Sequence, residues 1–343
     1  MGLDLKPLLG DSVRPIKLAD LTNKVVAIDA FNTIYQFLSI IRGPTGELLT
    51  NSKGDVTSHL SGLFYRNINL LVEGIRPLYV FDGQAHELKT HEIQRRSKMK
   101  QEAAEKYRLA VEEGREEDAV KYGKRTAILT ARMVEESKRL CELLGIPVVQ
   151  APADGEAAAA QLTRNGAAYC AASQDYDSIL FGAKKLVRNL AISGRRKVPN
   201  KSSYVEVEPE LIEHDDVLNE VGLSHEQLVD VGILIGTDFN PGGFQGIGPK
   251  TALKLVKQYG RLEAIEKIKD ELEKVPYQEI RDIFLKSEQP RDAISIAFGQ
   301  ANREKLIDFL CVEMGFSADR VTGTLDKLHK AVESKSQSLE QWF

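Results

Sequence analysis

Four apolar runs of strand length recur in the first half of the chain: VVAI at 25–28, PLYVF at 77–81, IPVVQ at 146–150 and AAYCAA at 167–172. Between them lie long stretches with helical periodicity, among them VTSHLSGLFYRNINLLVEG at 56–74 and TAILTARMVEESKRLCELLG at 126–145, the second ending on a glycine suited to a helix C-cap. Strand, helix, strand repetition predicts an α/β fold, with a mostly parallel central sheet and helices on both faces. Residues 84–125 break the rhythm: two charged helical stretches joined near VEEGREED at 111–118 predict an insertion standing off the core. Runs near 184–207 suit edge strands, and from about 208 onward the pattern is helical.

Length and composition narrow the class. At 343 residues and 42% hydrophobic content the chain can bury a full core. Its opening, MGLDLKPLLG, sets Asp4 and Lys6 where a secretory signal needs apolar residues, and no run of about 18 apolar residues occurs, so an intracellular soluble protein is expected. Three isolated cysteines make neither a disulfide framework nor a zinc site. The net charge of −4 does not announce a nucleic-acid binder, but its distribution is uneven. Ser178 to Val205 contains no acid and seven bases, Arg195, Arg196 and Lys197 among them, which reads either as a solvated face or as a surface for a phosphate backbone.

Each apolar run is closely followed by acids: Asp29, then Asp82, then Asp154 with Glu156, then Asp175 with Asp177. Ligands of open parallel sheets bind outside the carboxyl ends of the strands, so these six side chains converge on one crevice, with Asp238 in the GTDFNP turn as a seventh. Any one of them alone reads as a helix cap or turn residue, Asp154 especially. Were the strand to continue through SQDYDS, Asp175 and Asp177 would share a face and repel unless something positive lay between them. Clustered carboxylates without imidazole or thiolate suit hard divalent cations, Mg²⁺ or Mn²⁺, and their number suits two ions about 3.5–4 Å apart, the arrangement that hydrolyses phosphodiesters. The same D-x-D pattern also fits a phosphatase working through an aspartyl-phosphate.

Other segments are suited to DNA. GIGPKTALKLVKQYG at 246–260 opens on Gly246 and Gly248, places Pro249 at a first helical position, and carries Lys250, Lys254 and Lys257 on one face. Such a helix start offers backbone N–H groups to phosphate without reading bases; an ordinary capped surface helix is the plainer alternative. The insertion carries Lys89, Arg95, Arg96, Lys98 and Lys100 directly after the FDG turn that holds Asp82. Tyr35, six residues beyond Asp29, presents either a half-buried packing ring or a stacking face for an unpaired base.

Taken together, IDAFNTIYQFL, YVFDGQAHELK, APADGEA, SQDYDS, IGTDFN and GIGPKTA closely resemble the flap endonuclease family of structure-specific 5′ nucleases, in its archaeal branch. The resemblance implies endonucleolytic removal of 5′ flaps, with 5′ to 3′ exonuclease activity, in lagging-strand maturation and repair within an archaeal cell. It implies one Mg²⁺ at Asp29, Asp82, Asp154 and Glu156 and another at Asp175, Asp177 and Asp238, with Mn²⁺ as a substitute. It makes Lys89 and Arg96 the arch residues that act on the scissile phosphate and Tyr35 the aromatic that stacks on a base of the cut strand. The turn at 246–250 matches a helix-two-turn-helix element that grips duplex and can hold K⁺. Residues 37–57 match an apolar wedge and a pocket for a one-nucleotide 3′ flap. The organisation expected is a nuclease region at 1–105, an arch insertion at 84–130, and an internal nuclease region at 116–258 with the helix-two-turn-helix at about 232–260. A helical region at 259–330 and a flexible tail at 331–343 follow. The expected state is a monomer that binds branched DNA, and the sliding clamp through Leu339, Trp342 and Phe343.

Two departures from the family pattern stand out. Asp154 replaces the usual Glu, one methylene shorter, and Ser336 stands where the clamp motif has Gln. The alternative to a nuclease is a junction-binding scaffold without catalysis, which has no use for so many acids facing DNA.

Overall fold

The computed structural model describes residues 3–197, 204–286 and 296–340. Its strands are β1 (Val13–Pro15), β2 (Val25–Asp29), β3 (Arg76–Phe81), β4 (Val148–Gln150), β5 (Cys170–Ala172), β6 (Lys185–Arg188), β7 (Gly194–Lys197), β8 (Tyr204–Val207) and β9 (Glu210–Glu213). Seven form one sheet in the order β1-β9-β6-β5-β2-β3-β4, and β7 and β8 pair separately as a ribbon. The pairs β6-β5, β5-β2, β2-β3 and β3-β4 are parallel, while β9 runs antiparallel to both β6 and β1. The chain therefore builds outward from β2 on one side and from β5 on the other. The crevice between those two strands is the topological switch point, where open sheets of this kind bind ligands.

Each central strand sends alternate side chains into opposite layers. Ala27, Leu78, Val80, Ala171 and Leu186 enter one core, whereas Val26, Ile28, Tyr79, Phe81, Cys170, Ala172 and Val187 enter the other. Both faces are dry, which is why the strands read as unbroken apolar runs. Helices α1 (Ala30–Ile40) and α2 (Ser58–Val72) follow β2, and the two pack closely because Gly62 has no side chain: a Cβ there would meet the Phe37 ring at 2.2 Å. The insertion after β3 is α3 (Thr90–Glu112) and α4 (Glu116–Gly123), turning at Gly114 with φ 70°. Helix α5 (Ala131–Leu143) leads into β4, α6 (Gly155–Arg164) joins β4 to β5, and the one-turn α7 (Asp177–Leu180) lies between β5 and β6. Helices α8 (His214–Val221), α9 (His225–Ile235) and α10 (Pro249–Tyr259) cover the first face, and the helix Ala318–Glu340 seals the second with Val321, Leu325 and Leu328.

Three expectations need correcting. The chain does not become wholly helical at 208, because Glu210–Glu213 is a strand whose Leu211 and Ile212 are buried while Glu210 and Glu213 stay half-exposed. AAYCAA contributes only Cys170–Ala172 to β5. The helix that begins at Ala318 continues to Glu340, so residues 331–340 are helical where the sequence suggests an irregular tail.

Candidate active site

The acids stand where the strands end. Asp29 is the last residue of β2 and also caps α1, accepting from the Asn32 N–H at 3.0 Å. Asp82 follows β3 and accepts from the Gly155 N–H at 2.7 Å. Asp154 caps α6, as its position suggests, accepting from the Glu156 N–H at 3.0 Å. Glu156, only 8% exposed, accepts from the Ser173 hydroxyl at 2.7 Å and the Ser178 hydroxyl at 3.3 Å. Asp175 lies in the turn after β5 and Asp177 opens α7. The pair is thus not presented by a strand face; a loop folds both carboxylates toward the crevice. Asp238 sits in a turn after α9, tied by Thr237 and Asn240: the Asn240 side-chain Oδ1 accepts from the Thr237 N–H at 3.1 Å and from the Thr237 hydroxyl at 2.8 Å.

Electrostatically the seven are one group. Burial, followed by the charge of Asp82, raises Asp29 well above the usual carboxylate range, and burial with Asp177 does the same to Glu156. Burial and Asp154 push Asp82 up to about 6, burial and Asp238 raise Asp175, and burial with Asp238 and Asp175 pushes Asp177 up to about 8. Negative charge has been gathered beyond what the acids themselves neutralise.

Two cations from the insertion answer part of it. The Lys89 ammonium pairs with Asp154 and lies 4.8 Å from the centre of the Phe239 ring; burial opposes its charge, but Asp154 more than offsets this and holds it above the ordinary lysine value. Arg96 donates to Asp238 and also to Glu92, itself buried. Among the described residues no group of three or more His, Cys, Asp or Glu side chains stands close enough together, as placed, to hold an ion. The Asp177 Oδ1 atom remains buried without a hydrogen-bond partner. An all-oxygen donor set, raised pKa values and an orphaned carboxylate oxygen together fit hard divalent cations.

Tyr35 is half-buried on α1, and the Lys100 ammonium lies 4.1 Å from its ring centre, over a face that could stack on a base. Gly246 (φ 73°) and Gly248 lead into α10, where Pro249 occupies the first turn and Lys250, Lys254 and Lys257 are exposed opposite buried Ala252 and Val256. Arg195, Arg196 and Lys197 lie on β7 of the ribbon, paired with Glu206, Val205 and Tyr204. The basic run around them is not uniformly solvated: Lys185 pairs with Glu213 at 2.6 Å, and Arg188 with Glu210 at 3.2 Å and the Tyr176 hydroxyl at 2.5 Å. Ile40 and Leu49 are exposed apolar side chains within 37–57. Trp342 and Phe343 lie outside the described residues, as does the side chain of Leu339.

The small residues that aim the acids stand outside the motifs' charged positions. Ser173 and Ser178 hold Glu156, and Gly155 gives Asp82 a backbone donor at close range. A Cβ at Gly155 would fall 2.5 Å from Asp82 Oδ1. Gly155→Ala is therefore expected to displace Asp82 and slow single-turnover phosphodiester cleavage by about 10²-fold, with the thermal midpoint nearly unchanged; cleavage and melting of the same preparation check both. The signal was present in APADGEA, where a glycine directly follows one acid and precedes another.

Residues 1–103 match the XPG N-terminal domain and residues 145–238 the XPG I-region. Over its full length the chain is 54% identical to flap endonuclease 1 of Nitrosopumilus maritimus, covering 100% of both proteins. It is 47% identical to flap endonuclease 1 of Saccharolobus solfataricus, covering 99% of this chain and 100% of that protein. Among solved structures it resembles flap endonuclease-1 from Methanococcus jannaschii, with a TM-score of 0.72 and 39% identity over 95% of this chain and 99% of that one.

Proposed function

Since the chain belongs to the flap endonuclease family and is a structure-specific endonuclease of phosphodiester bonds, we propose how its own residues divide that work. The observation that carries the reading is the gathering of seven carboxylates at the switch point of the sheet, with two cations of the insertion already drawn into them. Asp29, Asp82, Asp154 and Glu156 would hold one Mg²⁺, and Asp175, Asp177 and Asp238 the other, with Mn²⁺ able to replace either. When bound, the pair supplies Lewis acidity toward the attacking water and the leaving oxygen.

The remaining work belongs to the protein. Lys89 and Arg96, leaving Asp154 and Asp238, turn to the scissile phosphate and stabilise the charge that develops on it. Tyr35 exchanges Lys100 for a base of the unpaired strand, as enzymes acting on a stacked nucleotide must first expose it. Gly246 and Gly248 let the backbone approach the duplex, at a turn that would also hold a K⁺, while Lys250, Lys254, Lys257, Arg195, Arg196 and Lys197 contact phosphates. Such contacts position without reading sequence, so affinity falls steeply with salt. The apolar side chains Ile40 and Leu49 brace the bend at the junction.

The products are a 5′-phosphate and a 3′-hydroxyl, and the same site trims 5′ ends exonucleolytically. The division into nuclease, arch and helix-two-turn-helix regions expected from the motifs belongs to this reading. So does clamp recruitment by Leu339, Trp342 and Phe343, weakened by Ser336, in an archaeal cell. No helix among the described residues is long and apolar enough to cross a membrane.

The test is cleavage of an end-labelled DNA with a 5′ flap and a one-nucleotide 3′ flap, beside matched single strand and blunt duplex. One Mg²⁺-dependent cut at the flap junction, absent with EDTA, is expected. Equal cutting of all three substrates would overturn the specificity, and tight binding without cleavage would overturn the catalytic reading.

A further inference from the structure

Asn32 touches both halves of the acid cluster. Its backbone N–H donates to Asp29 at 3.0 Å, and its side-chain Nδ2 donates to Asp175 Oδ2 at 2.9 Å. The amide has one sensible orientation. Its Oδ1 faces two donors, the Gln174 N–H and the Gln36 side-chain Nε2, each at 3.3 Å, while Nδ2 faces a carboxylate that can only accept.

Gln36 and Asn32 also border a small cavity between α1, α2, β5 and β6, lined further by Thr33, Arg66, Ser173 and Gln174. Within the structure Gln36 Oε1 has no partner. The bonds from Gln36 and Gln174 to Oδ1 set the angle at which the Asn32 amide meets Asp175.

We propose that Asn32, steadied by Gln36, is a positioning residue that ties the Asp29 group of acids to the Asp175 group and so sets the separation at which two divalent ions are held. The inference rests on the assignment of the acids to two ions made above. A neutral amide suits the task because it donates to a carboxylate without adding a cation that competes for it. Lys89 and Arg96 make the contrast: they neutralise Asp154 and Asp238 and must give way, whereas Asn32 can keep its bond to one oxygen of Asp175 and leave the other free. Partners of this kind orient ligands, and their loss costs about 10–100-fold in metal affinity or activity.

The experiment is a Mn²⁺ titration of the full-length protein without DNA, followed by electron paramagnetic resonance of the free ion, for wild type, Asn32→Ala and Gln36→Leu. Asn32→Ala keeps the backbone bond to Asp29 and removes the side-chain bonds to Asp175, Gln174 and Gln36. Its Mn²⁺ affinity is expected to fall about 10–100-fold. The Mg²⁺ concentration for half-maximal cleavage should rise by the same factor and the rate should recover at high Mg²⁺, with flap binding in EDTA and the metal-free melting temperature unchanged. Gln36→Leu, which touches neither acid, should shift affinity the same way by less. Wild-type affinity in a folded Asn32→Ala protein, or loss of melting temperature without loss of metal affinity, overturns the proposal. Absence of Mn²⁺ binding by the wild type overturns instead the assignment of the acids on which it rests.

Discussion

Asp177→Asn is expected to reduce cleavage by about 10³-fold or more, the equivalent of ~4 kcal/mol of transition-state stabilisation, while flap binding in EDTA is retained or tightened. Asp177 is 3% exposed, one of its oxygens has no partner, and Asp238 and Asp175 crowd it. The variant should also be the more stable protein in the absence of metal. A carboxyl pushed up to about 8 when folded, against about 4 when unfolded, makes the folded state the one that binds more protons across that interval. Stability of the metal-free wild type must then fall as pH rises from about 4 to 8, and Asp82, pushed up to about 6, adds to the lower part of the same window. Melting curves of wild type and Asp177→Asn in EDTA should coincide near pH 4 and separate toward pH 8, with the variant higher. A variant that melts lower at pH 8 would mean that Asp177 supports the fold rather than burdening it.

Removal of the cations acts in the opposite sense. Lys89→Ala and Arg96→Ala should each slow single-turnover cleavage by about 10²-fold, the cost of deleting one donor to a developing oxyanion, with little change in flap affinity. Both should melt lower than wild type in EDTA, because Asp154 and Asp238 each lose the cation paired directly with them. Saturating Mg²⁺ should restore the melting temperature but not the rate. Such a split separates a residue that merely balances charge from one that also serves the reaction. Recovery of both by Mg²⁺ would confine Lys89 and Arg96 to charge balance.

Much of this was legible in the sequence because the relevant signals are local. A strand buried on both faces must be apolar throughout, so β2, β3 and the cores of β4 and β5 stand out, and the acid after each is read with the strand it ends. The insertion was legible for the converse reason, its two helices having few apolar residues to bury.

What escaped depends on distant partners. The strand β1 is three residues long and contains Pro15, and only its pairing with β9, nearly 200 positions away, defines it; β9 in turn is defined by pairing with β1 and with β6. Within the basic run, Lys185 and Arg188 look free until β9 brings Glu213 and Glu210 beside them. The capture of Asp154 by Lys89 and of Asp238 by Arg96 likewise requires the insertion to lie across the crevice, which no spacing specifies. Asn32 reads as one polar residue in a helix until the turn after β5 places Asp175 against it.

The proposed holding of a pair of divalent ions by these seven acids is tested most directly by crystals of the full-length protein grown with Mn²⁺ and measured at the manganese absorption edge. Two anomalous peaks about 3.5–4 Å apart are expected, one against Asp29, Asp82, Asp154 and Glu156 and the other against Asp175, Asp177 and Asp238, with the Lys89 and Arg96 side chains withdrawn from Asp154 and Asp238. A single peak, or none in the crevice with Lys89 and Arg96 still paired to the acids at saturating Mn²⁺, would contradict it.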